Sequence, residues 1–155
     1  MDFGQDGANA VPALGPDDGR YVYAYGLDGN WRDSYSGTAP SPVSMYLGRV
    51  EPGRMQDISV WRFFAGMRGE RPAWSGDISA RQAVLTDTRS LYPILLNDSG
   101  PSQLSVISQG GVVYNAPLRR YIDTSWIEYT FEFYETPRPW GPWKLFSRHD
   151  AGGYP

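Results

Sequence analysis

The chain contains no cysteine. Disulfides, thiolate metal centres and cysteine nucleophiles are therefore excluded. Histidine is almost as scarce: His149 is the only one, in a polar Ser-Arg-His-Asp run near the C-terminus. One histidine cannot build a multi-histidine metal cluster. Nothing near it resembles the nucleophile elbow that a Ser-His-Asp triad would require. Lys144 is the only lysine among 14 cations, the net charge is −3, and no basic block occurs anywhere. Electrostatic capture of nucleic acid needs clustered Lys and Arg, so no nucleic-acid partner is expected. No apolar run approaches the roughly 20 residues of a membrane-spanning helix, so no membrane partner is expected either. The first ten residues have neither the basic start nor the apolar core of a signal peptide. No segment sustains a 3.6-residue apolar period, so little helix is expected.

What is abundant is aromatic. Aromatics make up 15% of the 155 residues, with 11 Tyr and 6 Trp, against only 20% charged residues. Tyr and Trp favour strands, and a surplus of them suits an all-β protein with exposed aromatic surface, as in sugar binders. The strand-like segments fall into a pattern that occurs twice. The first copy runs Tyr21–Tyr25, Val43–Val50, Trp61–Phe64; the second runs Arg120–Trp126, Tyr129–Tyr134, Trp143–Phe146. A short apolar segment precedes each, Ala10–Leu14 and Leu104–Ile107. Four short antiparallel strands repeated in series are the mark of a β-propeller blade. The expected fold is all-β and propeller-like, in one domain. Blade one covers about 6–66, a connector about 67–100, and blade two about 101–150. Two blades do not close a ring, so further blades or a second copy of the chain are expected partners.

Within this frame Tyr21, Tyr23 and Tyr25 share one strand face. Gly26 to Pro42 is a long loop carrying Trp31, Arg32 and Tyr35, and loops beyond about 12–15 residues are usually functional or disordered. Gln56–Trp61 reads as a helical turn or a strand entry, and 67–79 as a polar connector containing Trp74. Ala83–Leu85 reads as a short strand. Pro93 demotes Leu91–Leu96 to an edge strand or an extended connection. Gly110-Gly111 and Asn115–Arg119 read as turns, and Pro137–Trp143 as the link between the last two strands.

Three segments carry a resemblance: Asn115-Ala-Pro-Leu-Arg-Arg-Tyr-Ile-Asp-Thr-Ser-Trp126, Phe131–Glu135 and Trp140-Gly-Pro-Trp143. With Phe3–Asp6, Tyr21–Gly26 and Tyr46–Val50, they are similar to the domain family of unknown function 4185, which includes endo-D-arabinanases. The resemblance implies a five-bladed glycoside hydrolase propeller, an extracellular location, a furanoside-containing polysaccharide such as arabinan as ligand, and no cofactor. By that resemblance the chain corresponds to about half of such a domain.

In a propeller register, one face collects Asp6, Asn9, Trp31, Arg32, Tyr35, Ser102, Gln103, Trp126, Glu128 and Tyr129. A glycosidase needs two carboxyls flanking the scissile bond. Asp6 and Glu128 are the candidate pair, with Glu128 as general acid between Trp126 and Tyr129. Asn9, Trp31, Arg32, Tyr35, Gln103, Trp126 and Tyr129 are the candidate substrate contacts. The plainer readings stand beside these: Asp6 as a turn residue in Gln-Asp-Gly, and Glu128 as a solvent-facing loop charge. Gln103 binds hydroxyls but does no acid–base work, which favours a non-catalytic carbohydrate-binding or self-assembling module. Glu132 and Glu135 read as structural.

Overall fold

The computed structural model describes residues 19–32, 41–92 and 104–150. These residues are all-β, with eleven strands and two single-turn 3-10 segments, Ile58–Val60 and Ile78–Ala80. The strands form three open antiparallel sheets. None of the described helical turns is long and apolar enough to cross a membrane.

The first sheet is a meander of β1 (Val22–Leu27), β2 (Ser44–Val50), β3 (Arg62–Arg68) and β4 (Arg71–Ser75), joined by β5 (Ala83–Thr86). One side of β2 pairs with β1 along its whole length, from Val50 opposite Val22 to Met45 opposite Leu27. Its other side is shared: Gly48 and Arg49 pair with β3, and Ser44–Tyr46 pair with β5. The expected strands of the first copy are therefore present, except 10–14, which lies outside the described residues. The connector reading of 67–100 needs correction, because it supplies β4 and β5 to this sheet. Arg71–Ser75 reads as polar, yet Trp74 gives it one large ring to pack against Phe64 and Tyr23. Asp57 and Asp77 each accept from the backbone N–H two residues ahead, capping the 3-10 turns that flank β3 and β4.

The second sheet is a four-stranded meander of β8 (Gln109–Asn115), β9 (Arg120–Ile127), β10 (Thr130–Thr136) and β11 (Lys144–Asp150). Its last three strands fall where the repeat predicts them, and Ala116–Arg119 forms the expected turn. Its first strand does not. Leu104–Ser105 (β7) instead makes a two-residue ladder with Ser90–Leu91 (β6). Gly110-Gly111 lies inside β8 rather than in a turn. The reason is steric: a Cβ on Gly110 would sit 1.7 Å from the Thr124 carbonyl oxygen, so only glycine lets β8 and β9 approach there.

The two large sheets share one core. Met45 and Leu85 of the first pack with Ile107, Tyr121, Tyr134 and Trp143 of the second. The Pro137–Trp143 link acts as the clasp. The Trp143 ring meets Tyr25 edge-on at 5.9 Å, and Trp140 meets Trp74 edge-on at 6.3 Å. Tyr25 donates its hydroxyl hydrogen to the Pro139 carbonyl at 2.9 Å. Such edge-to-face pairs add about 0.5–1.5 kcal/mol each beyond the area they bury. The Pro139–Trp143 segment therefore holds the two sheets together.

Candidate functional site

The sequence-predicted residues that are described fall into two groups. Trp126, Glu128 and Tyr129 sit together on the β9–β10 hairpin. Ile127 pairs with Thr130, which leaves Glu128 and Tyr129 as a two-residue turn. Such turns demand left-handed backbone at their first position, and Glu128 adopts it with φ 47°. Its carbonyl accepts the indole N–H of Trp126. That bond and stacking on Phe131 (6.4 Å, 18°) fix the Trp126 ring, which is 44% exposed. Tyr129 packs edge-on against Tyr92 at 6.0 Å, and Tyr92 shares a short hydrogen bond with Thr130, which donates to Asp150.

The second group lies on the first sheet, just beyond β1. The Arg32 guanidinium carbon is 5.2 Å from the Trp31 ring centroid, and the Arg32 backbone N–H donates to the Asn30 side chain. Asp6, Asn9, Tyr35, Ser102 and Gln103 lie outside the described residues.

The inner face of the second sheet holds chemistry that the sequence reading did not assign. Tyr121, Asp123 and Ser125 of β9 and Thr130, Glu132, Tyr134 and Thr136 of β10 are all buried there. Glu132, with no exposed surface, accepts two hydrogen bonds from Arg89, at 3.1 and 2.7 Å. Arg89 also grips Asp87 at 2.6 Å, and the Tyr134 hydroxyl lies within hydrogen-bond reach of Asp87, Arg89 and Glu132. Burial works against the Asp87 charge, but the hydrogen bonds from Arg89 and Tyr134 outweigh it and hold its carboxyl below the usual range. The Tyr134 phenol is pushed far above its ordinary value, by burial and by the two carboxylates.

Asp123 behaves differently. It lies between Val112 and Tyr134 in register, is 7% exposed, and meets no cation among the described residues. Burial pushes its carboxyl up to about 7. Burial is the whole cause of the shift, so the carboxyl is held in its neutral form by its surroundings. The signal for this cluster was in the strand alternation. In Tyr121–Ile127 the polar residues Asp123 and Ser125 occupy one set of alternate positions, and Ile122, Thr124 and Trp126 the other. The buried set also contains Tyr121 and Ile127, so the alternation leaves the choice of core face open, and here Asp123 and Ser125 are buried with them.

Glu132 is the buried end of the Arg89 clamp. Glu135 faces Arg120 at 3.9 Å on the surface. Among the described residues no group of three or more His, Asp or Glu side chains is arranged to hold a metal ion. No protein-family model matches the chain, and no curated protein matches it.

Proposed function

We propose that the chain is part of a propeller-type, carbohydrate-active domain that binds a polysaccharide on the exposed aromatic surface of its second sheet. The observation that carries this reading is Trp126. Its ring is exposed, and its orientation is fixed in advance by the bond to the Glu128 carbonyl and by Phe131 beneath it. A fixed indole suits a sugar, whose C–H faces are apolar and whose rim is polar. Glu128 and Tyr129 stand at the same hairpin tip to meet hydroxyls. The two consecutive antiparallel meanders support the propeller architecture. The resemblance to a family that includes endo-D-arabinanases supports a furanoside polymer such as arabinan as ligand. If the domain hydrolyses that polymer, Glu128 is the general acid and Asp6 its partner.

Calorimetric titration with arabinan tests the binding reading. Trp126→Ala should cost about 1 kcal/mol, roughly fivefold in affinity, with the circular dichroism spectrum unchanged. Unaltered affinity in that variant would place the sugar elsewhere. Sugar release from arabinan that survives Glu128→Gln would remove the catalytic role.

A second reading has its own support. The aromatic row does not end at Trp126 and Phe131: it continues through Phe133 and Phe146 at spacings of 6.4 and 6.2 Å. Val113, 45% exposed and opposite Ile122, adds aliphatic surface on the same face. A face this apolar suits a further blade or a second copy. In that case the module is an assembling one without catalysis.

A further inference from the structure

A cavity of about 400 Å³ opens on the first sheet, lined by Tyr21, Arg49, Glu51, Arg54, Arg62 and Trp74. Its volume is within the rough range of 300–1,000 Å³ for small-molecule sites. Three guanidinium groups and one carboxylate face it, on a chain whose net charge is −3. Counting Asp57, which pairs with Arg54, three cations stand against two carboxylates there, a small positive excess on a negative chain.

Arg49 is the unusual member. Its guanidinium carbon lies 4.2 Å from the Tyr21 ring centroid and 3.9 Å from that of Trp74. Two aromatic rings thereby hold the cation, an arrangement that engages its π-faces. Its hydrogen-bonding edge is left over. The buried Nε–H has no acceptor, and no carboxylate or carbonyl among the described residues takes a hydrogen bond from Arg49. The neighbours are satisfied: Arg54 pairs with Asp57 at 2.8 Å, and Arg62 donates to the Ser59 and Trp61 carbonyls. A buried guanidinium N–H left unmatched is costly, and the half-buried Arg49 head has its remaining N–H groups to offer a planar two-oxygen acceptor.

We propose that this cavity binds a carboxylate, received bidentately by Arg49 and steadied by the positive field of Arg54 and Arg62. Glu51 in the lining favours a singly charged carboxylate over a doubly charged phosphate, because repulsion grows with ligand charge. The carboxylate comes from a small organic acid or from a uronic acid residue of a glycan. The site is independent of the Trp126 surface on the other sheet.

Calorimetry, together with quenching of tryptophan fluorescence through Trp74, tests the proposal with four probes: propionate, galacturonate, galactose and inorganic phosphate. Binding of both propionate and galacturonate supports a site for the carboxylate alone. Binding of galacturonate only supports a uronic acid site. Galactose binding as tightly as galacturonate, phosphate binding more tightly than either carboxylate, or no carboxylate binding at all overturns it. Arg49→Met should weaken binding about tenfold or more, and Arg49→Lys nearly as much, because an ammonium cannot reproduce the fork. Retained affinity in a folded Arg49→Met overturns the assignment. If that variant does not fold, the exposed pair Arg54→Gln and Arg62→Gln decides: severalfold weaker binding with a flatter salt dependence supports the site, and no change overturns it.

Discussion

The two large sheets solve the burial problem in opposite ways. The first buries apolar side chains: Met45, Leu47, Val50, Phe63, Phe64 and Leu85 are all at 9% exposure or less. The second buries Asp123, Ser125, Thr130, Glu132 and Thr136 alongside Tyr121, Ile127 and Tyr134, and turns Trp126, Phe131, Phe133 and Phe146 outward. In the first, stability rests on packing. In the second it rests on a clamp of charges that must be complete, because a buried ion left without its partner is severely destabilising. An inverted sheet of this kind has use for a cover on both faces, and that requirement links its polar interior to its aromatic exterior.

The sharpest way to break the comparison is to remove one member from each interior. Arg89→Leu leaves Glu132 buried with, among the described residues, the Tyr134 hydroxyl as its remaining side-chain partner, and should cost about 3–5 kcal/mol. Adding Glu132→Leu to that variant should recover most of the loss, since the orphaned charge goes with it. Leu47→Ala in the first sheet should cost about 2–5 kcal/mol as a cavity. Chemical denaturation of the three variants reads the contrast directly, and a double variant less stable than Arg89→Leu alone would refute the clamp.

Buried Asp123 and the hydrogen-bonded Asp57, Asp77 and Asp87 should answer pH with opposite signs. The Asp123 carboxyl is raised from 3.8 to about 7 by burial, so between those values the folded chain holds a proton that the unfolded chain has released. Stability from this group is complete below pH 4 and falls as pH rises toward 7, by about 3–5 kcal/mol in all. Asp123→Asn should flatten that descent in denaturation curves measured from pH 4 to 8. Asp57 and Asp77 lie below their ordinary value, chiefly through hydrogen bonds from the Ser59 and Ser79 side chains. Asp87 is lowered by Arg89 and Tyr134 against its own burial. These three act in the other direction, withdrawing stability as pH drops below 3.8. If wild type and Asp123→Asn give the same curve, the buried-acid assignment fails.

A steric contrast sits within the second sheet itself. Gly110→Ala places a methyl 1.7 Å from the Thr124 oxygen, whereas Gly111→Ala meets nothing within 4 Å. The first should part β8 from β9 and cost about 1–3 kcal/mol, as overpacking does. The second should shift the melting temperature very little. The smallest effect on stability belongs to the outer face. Phe146, 51% exposed, contributes little to the isolated fold, so Phe146→Ser should change stability by about 0.5 kcal/mol or less while reducing self-association in light scattering. An unchanged association state would show that another surface carries it.

That the chain is all-β was legible because strand periodicity is local. Tyr21–Tyr25, Val43–Val50, Arg120–Trp126 and Tyr129–Tyr134 all announced themselves by alternation and β-branched or aromatic content, and each is a strand within two residues of its expected ends. Arg71–Ser75 was not legible, because its one large side chain gains its meaning only from Phe64 and Tyr23 across the sheet. Leu104–Ile107 looked like the opening strand of the second sheet because four apolar or small residues in a row suit any buried segment. Gln109–Asn115, with its two glycines, took that place because β9 requires a neighbour without a side chain at Gly110.

The candidate sites divide in the same way. The sequence alone placed Trp126, Glu128 and Tyr129 at one turn, since three residues so close in the chain on a hairpin cannot be far apart. It also left carboxylates, by the absence of cysteine and the single histidine, as the main candidates for acid–base work. Only the tertiary structure decided which carboxylates are buried, that Arg89 reaches across 43 residues to Glu132, and that Arg49 lies between Tyr21 and Trp74. Alternation along a strand says which residues share a face. Which face becomes the interior depends on what packs against it, and that is set by contacts between segments far apart in the chain.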